Sequence, residues 1–406
     1  MRPWTRPRFL IVVLGEGLSM LGDGAFALAL AWIVLSNTGS VAALTGVMLA
    51  QSVPHGLLLL LGGAVTDRIS PRRVMALCHV VRAVAMALLG VLVLADRDEL
   101  WHFYAIAALV GAAAAFFNPA AESVLPHLLP TDEYAAGNAV QGFAVQGAYL
   151  LGPLVGAALM SVGGAGAAIT TNAASFALAS LTVRAVPRSG PDAATRPMLD
   201  ELRAGLAHAR ASSELRIVLL IIAAATLSYS GVFAVGLPVL ARTLTSSPVG
   251  LAIMLSSWGA GQLLGTVVAA VVGLPRHWGR LVIAMTLAET VSFVSLGVVD
   301  ALWAVAAILL LLGTGVAFTA DVALPTFVQT RTERRLLGRV SAVLALPQVL
   351  LQPVSVAVLG AALAWSVPWG FALAAVPMLA LGVRLVLDPM VRHLTIEPPE
   401  NTTSQG

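Results

Sequence analysis

The chain has 406 residues, of which 58% are hydrophobic and only 11% are charged, and its mean hydropathy is +0.91. An average soluble domain carries about 25% charged residues, and one aqueous core stops growing near about 250–300 residues. An ordinary cytosolic enzyme is therefore excluded, and the solvent this surface fits is lipid.

The formal charge is +3, and all 23 basic residues are arginines. They lie in short clusters between apolar runs, so no basic face exists for a nucleic acid. The single cysteine, Cys78, leaves no internal disulfide and no cysteine-based metal site. No Walker sequence is present to bind ATP. The seven histidines form no cluster at metal-ligand spacing, and His79 reads more readily as a packing residue than as a ligand. No cofactor is expected.

In chain order, the first apolar run, from about 9 to 35, is too long for a signal-peptide core and is followed by no small-residue cleavage site, so it is expected to be retained. Further spans are expected near 41–65, 74–95, 101–125, 134–160, 165–186, 215–241, 248–273, 280–299, 301–327, 337–363 and 366–387. Each reaches the ~20 residues a helix needs to cross ~30 Å of hydrocarbon, and none alternates like a barrel strand. The fold class is thus all-α, a polytopic membrane protein of twelve helices, each satisfying its own backbone where water is absent.

With the N-terminus in the cytoplasm, 20 arginines fall in cytoplasmic segments and two, Arg97 and Arg242, fall outside, while Arg82 lies within a span. This asymmetry predicts cytoplasmic termini and a plasma-membrane location. The long polar stretch divides the chain into a first six-helix bundle (1–186), a linker (187–213), a second bundle (214–390) and a cytoplasmic tail (391–406). Leu199, Leu202 and Leu206 stand at helical spacing in the linker, as in a helix lying on the membrane surface or a solvated charged one. Gly111 and Phe116 recur 202 residues later as Gly313 and Phe318, each followed by a polar turn, so the halves read as a parallel repeat. Such repeats mark secondary transporters that rock two bundles about a central site.

At the turn between spans two and three stands GGAVTDRISPRRV, residues 62–74. It resembles the major facilitator superfamily signature G-x-x-x-D-R-x-G-R-R, with Ser70 and Pro71 in place of the usual Gly-Arg. Other stretches resemble the drug-efflux branch that contains macrolide-efflux proteins and the enterobactin exporter. They include GEGLSMLGDGAFALALAW, FFNPAAESVLPHLLPTDEYAAGNAV, LLGPLVGAAL, NAASFALASL, LDELRAGL and GLAIMLSSWGAGQLLG. The resemblance covers nearly the whole chain. It implies two pseudo-symmetric six-helix bundles and, for Asp67, Arg68, Arg72 and Arg73, a latch closing the cytoplasmic side; on composition alone these residues are a positive-inside anchor with a capping Asp. Gly152, Pro153 and Gly156 resemble the glycine-proline signature of antiporters, with Ala157 in place of its closing Gly; close helix packing explains them equally.

Ionisable groups within spans are the sharper clue, because each costs ~2.5–3.5 kcal/mol at the bilayer centre on the insertion scale. Glu16 and Asp23 are seven residues apart on one face of span one, with Ser19 nearly between them. Asp23 is the first candidate for proton coupling or cation binding, Glu16 the second and Asp321 the third; the alternative for Asp23 is a structural cap beside Gly22 and Gly24. Arg82 and Glu289 are repeat-equivalent, 207 residues apart; the resemblance implies that spans three and nine stand away from the central cavity, so each is expected to have a partner in its own bundle or to snorkel to an interface. Gln141, Gln146, Gln262, Gln348 and Gln352 either line a polar cavity or bond across helices.

The expected function is export of a small organic molecule in exchange for protons, by a monomer whose partners are substrate, protons and lipid. The alternatives are a nutrient importer of the same fold and a membrane enzyme; the latter would need a His, Asp or Glu cluster near one face, and none is found.

Overall fold

The computed structural model describes residues 3–187, 206, 207, 210, 212–273, 278–332 and 337–388. The described residues are helical throughout, without strands. The first half holds α1 (Pro7–Thr38), α2 (Val41–Arg68), α3 (Pro71–Leu94), α4 (Leu100–Glu122) and α5 (Tyr134–Thr182). The second half begins with α6 (Ser213–Gly231), which passes through a π-helical turn, Val232–Gly236, into α7 (Leu237–Leu244). It continues with α8 (Pro248–Val272), α9 (Trp278–Val298) and α10 (Leu302–Val316). A second π-helical stretch, Ala317–Ala323, leads into α11 (Leu324–Arg331), followed by α12 (Leu337–Trp365) and α13 (Val367–Leu387).

The sequence chemistry fixes the helix starts. Ser40 and Ser212 accept the backbone N–H of Ala43 at 3.1 Å and Leu215 at 3.3 Å, which satisfies a donor that the first turn leaves free. Proline opens α1, α3 and α8, where its missing N–H has no cost.

The 49 residues of α5 would run ~74 Å if straight, more than twice the hydrocarbon thickness. Gly163 and Gly164 leave helical geometry, and Gly164 takes a φ of 66° that favours glycine. The helix therefore turns back there, giving two crossings near the expected spans five and six. Eleven described segments are long and apolar enough to cross a membrane, and one of them, Thr131–Ala185, contains both limbs of α5. The count of twelve crossings follows.

In the first half α1 lies along α5, α2 on α4, and α3 against both α4 and α5. In the second, α8 packs on α10, α9 on α13, and α6 on α12. The halves meet through α5 with α8 and α2 with α12. At that second seam a Cβ on Gly360 would strike Thr45. Glycine is what lets α1 and α5 touch: a Cβ on Gly152 would meet the Gly24 backbone, and one on Gly156 the Ala25 backbone. Of the linker leucines, Leu199 and Leu202 lie outside the described residues, as does the tail; Leu206 is helical and packs against the main apolar core.

Candidate functional site

Between the halves lies one large cavity of about 1360 Å³. On the first half it is lined from α1, α2 and α5, and on the second from α6 to α13, with Met48 and Leu251 towards the face opposite the N-terminus and Gln329 and Ser341 towards the N-terminal face. Three carboxylates look into it: Asp23 on α1, Glu289 on α9, and Asp321 in the π-helical stretch. Among the described residues, no arginine or histidine lines it. A π-helical turn widens the helix and re-aims its side chains, as functional sites often require.

On the second half, beside Glu289, the wall is aromatic. Phe233 and Trp258 stand edge-to-face with centroids 4.7 Å apart, and Tyr229 meets Trp258 at 5.6 Å and Phe293 at 4.9 Å. The Tyr229 hydroxyl is buried with no hydrogen bond of ordinary geometry, and Glu289 is its electrostatic neighbour. Tyr149, on α5, lies within electrostatic reach of Asp321 on the other half. Gln146 and Gln262 join the halves through a hydrogen bond, Nε2 to Oε1, at 3.2 Å.

The structure sorts the residues singled out in the sequence. Asp23 and Asp321 both line the cavity. Asn172 Nδ2 donates to Asp23 Oδ1 at 3.3 Å, and this approach needs Gly22, since a Cβ there would strike Asn172 and Ser175. Glu16 is not among the lining residues; its Oε1 is 2.9 Å from His79 Nε2, so His79 is a hydrogen-bonding partner as well as a packing residue. Arg82 keeps to its own bundle, held over Phe117 at 4.8 Å and Phe176 at 5.5 Å.

Glu289 corrects an expectation: it lies in the cavity wall, not away from it. The repeat offset locates its depth on α9 but not the face it occupies, because one residue turns a helix by about 100°. Gln146, Gln262, Gln348 and Gln352 line the cavity, whereas Gln141 does not. At the turn after α2, Arg72 donates to the Val186 carbonyl at 3.1 Å, Arg68 and Arg73 are exposed, and the Asp67 side chain lies outside the description. Sequence reading missed the aromatic wall and Asn172. An aromatic in an apolar helix is unremarkable by itself, whereas Asn172, a polar residue within a span, carries the same signal as the glutamines.

The family model for the Major Facilitator Superfamily matches residues 12–351. A multidrug efflux pump, Tap, of Mycolicibacterium fortuitum is 26% identical over 406 residues, covering 96% of this chain and 98% of its own. Macrolide efflux protein A of Streptococcus pyogenes is 22% identical over 270 residues, 66% of this chain and 67% of its own. Among solved structures, a POT family transporter in complex with 5-aminolevulinic acid superposes with a TM-score of 0.76 at 12% identity, over 95% of this chain and 97% of its own. A likeness at that identity concerns the fold alone, and it agrees with two packed helical halves. With the family match spanning most of its length and the helices folded in that family's manner, the chain belongs to the Major Facilitator Superfamily and is a multi-pass membrane transporter, not an enzyme.

Proposed function

We propose that this transporter exports a lipophilic organic cation in exchange for protons. The observation that carries the reading is the cavity lining: three carboxylates, no arginine or histidine among the described lining residues, and the aromatic faces of Tyr229, Phe233 and Trp258. A cation with apolar groups gains from both walls, because rings attract positive charge at their faces and carboxylates balance it where water is scarce. Among the described lining residues no cationic side chain is present to pair an anion. The named relatives, a multidrug efflux pump and a macrolide efflux protein, favour export over import.

With the arginine-rich N-terminal face in the cytoplasm, the cavity is the cytoplasm-facing state. The units are the two bundles, 1–186 and 214–390, joined by the 187–213 linker, and the working form is a monomer. Protons enter at Asp23 from outside, and substrate leaves; Asp321 and Glu289 hold the cation during the crossing. Asp67, Arg68, Arg72 and Arg73 latch the cytoplasmic face in the opposite state, and the small faces of Gly152, Pro153 and Gly156 let α5 slide on α1. The membrane potential adds about 2.3 kcal/mol per charge moved per 100 mV.

The test is uptake of tetraphenylphosphonium by everted vesicles under an imposed pH gradient. Wild type should accumulate it and Asp23→Asn should not. Gradient-driven uptake by Asp23→Asn at the wild-type rate would remove Asp23 from the mechanism, and no uptake by wild type would remove cation export itself.

A further inference from the structure

Beside the cavity, inside the first bundle, four charged or titratable side chains converge. Glu16 and Asp23 come from α1, and His79 and Arg82 from α3. Arg82, His79 and Glu16 all act electrostatically on Asp23. Arg82 also reaches His55 of α2 and Cys78 of α3, while α4 and the second limb of α5 present the rings of Phe117 and Phe176. The neighbouring polar groups of α5, Asn172 and Ser175, do not titrate.

Two features of this cluster are costly as they stand. Arg82 is 5% exposed and forms no hydrogen bond or ion pair among the described residues, and its Nε is buried without a partner. His79 is fully buried; its Nε2 meets Glu16, but its Nδ1 has no partner. A buried arginine nitrogen and a ring nitrogen without hydrogen-bond partners are penalties that a protein tolerates where the groups serve another state. If Nε2–H is donated to the Glu16 carboxylate, Nδ1 is left as an acceptor with no donor facing it.

We propose that the Glu16–His79 pair is a proton-binding site outside the substrate cavity, and that Arg82 transmits its charge state to Asp23. The proposal rests on the proton-exchange reading above and extends it. The charges balance in only one way: Arg82 is one fixed cation and Glu16 and Asp23 are two carboxylates, so one carboxylate is left for either a proton or a substrate cation. When the pair holds a proton, Arg82 serves Asp23 and the substrate cation is displaced. When that proton leaves to water, Arg82 is drawn to Glu16, and the unpaired charge of Asp23 joins Asp321 and Glu289 in holding the cation. Only O–H and N–H bonds are made and broken. Glu16 stands about two turns, ~10 Å, nearer the N-terminal face than Asp23, and its side chain keeps 18% exposure, so under this proposal the proton leaves on that side.

The experiment counts protons released per tetraphenylphosphonium bound by the purified full-length chain in weakly buffered detergent. His79→Gln, which keeps a donor for Glu16 but cannot take a proton, should cut the release at least twofold, as should Glu16→Gln and Arg82→Gln. Cys78→Ala, a packing change beside His79, should release as many as wild type. Counting per bound probe restricts the measurement to folded protein. Release equal to wild type in both His79→Gln and Glu16→Gln, or an equal fall in Cys78→Ala, overturns the off-cavity site alone. A wild type that binds the probe and releases no proton overturns the exchange reading, and this inference with it.

Discussion

Gln146 of α5 donates to Gln262 of α8 across the seam between the two halves, at 3.2 Å, while the Gln146 Oε1 is left buried without a partner. The backbones are close there because Gly259 of α8 faces Tyr149 and Leu150. A side-chain bond within a membrane protein averages about 0.6 kcal/mol, enough to change a two-state population by roughly threefold. Gln262→Leu should therefore move the chain away from this arrangement by about that factor. Spin-label distances between the halves, measured at the N-terminal face, would report the change; an unaltered distribution would mean that the seam is set by glycine packing alone.

Glu289 and Tyr229 separate charge from shape. If Glu289 holds the cation, Glu289→Gln should weaken tetraphenylphosphonium binding about tenfold, equivalent to about 1.4 kcal/mol. Tyr229→Phe should change it less than about threefold, because the hydroxyl removed makes no hydrogen bond of ordinary geometry and only neighbours Glu289. Equilibrium dialysis with labelled probe measures both. A Tyr229→Phe loss as large as the Glu289→Gln loss would show that the hydroxyl, not the carboxylate, carries the recognition.

These residues also mark how far the sequence reaches. Twelve crossings are legible because hydrocarbon thickness imposes a length on every helix, and arginine asymmetry accumulates over the chain, so local errors average out. Asp23 and Asp321 are legible as cavity residues because a carboxylate within a span is costly anywhere else. Glu289 obeys the same rule, and only the place of span nine in the resembled architecture, which does not fix the face a residue takes, directed it away. The Glu16–His79 contact joins positions 63 apart in the chain. Nothing in either helix alone determines that these faces meet, because the rotation of α3 against α1 is set by packing against α4 and α5.

Gly22 carries a prediction of that packing kind. It clears the space in which Asn172 approaches Asp23. Gly22→Ala should overpack the α1–α5 contact and cost about 1–3 kcal/mol, seen as a lower unfolding midpoint in detergent. Adding Asn172→Ala together with Ser175→Ala should recover much of that loss, because the clash is with those two side chains, and the changes should then be non-additive. Additive losses would place the strain in the backbone instead.

Trp258 decides whether the aromatic wall recognises substrate or merely fills space. Its ring borders the cavity and meets both Phe233 and Tyr229, so it could serve as packing for α6 alone. A cation held over a desolvated indole gains about 2 kcal/mol or more, and over a phenyl ring less. Trp258→Ala should then weaken tetraphenylphosphonium binding by more than tenfold, and Trp258→Phe by much less, with unfolding midpoints close to one another. A packing role predicts the reverse ordering of effects, in which both variants lose stability and the folded fraction binds as wild type does. Binding normalised to folded protein distinguishes the two, since only direct contact with the cation makes affinity follow the strength of the ring's negative face.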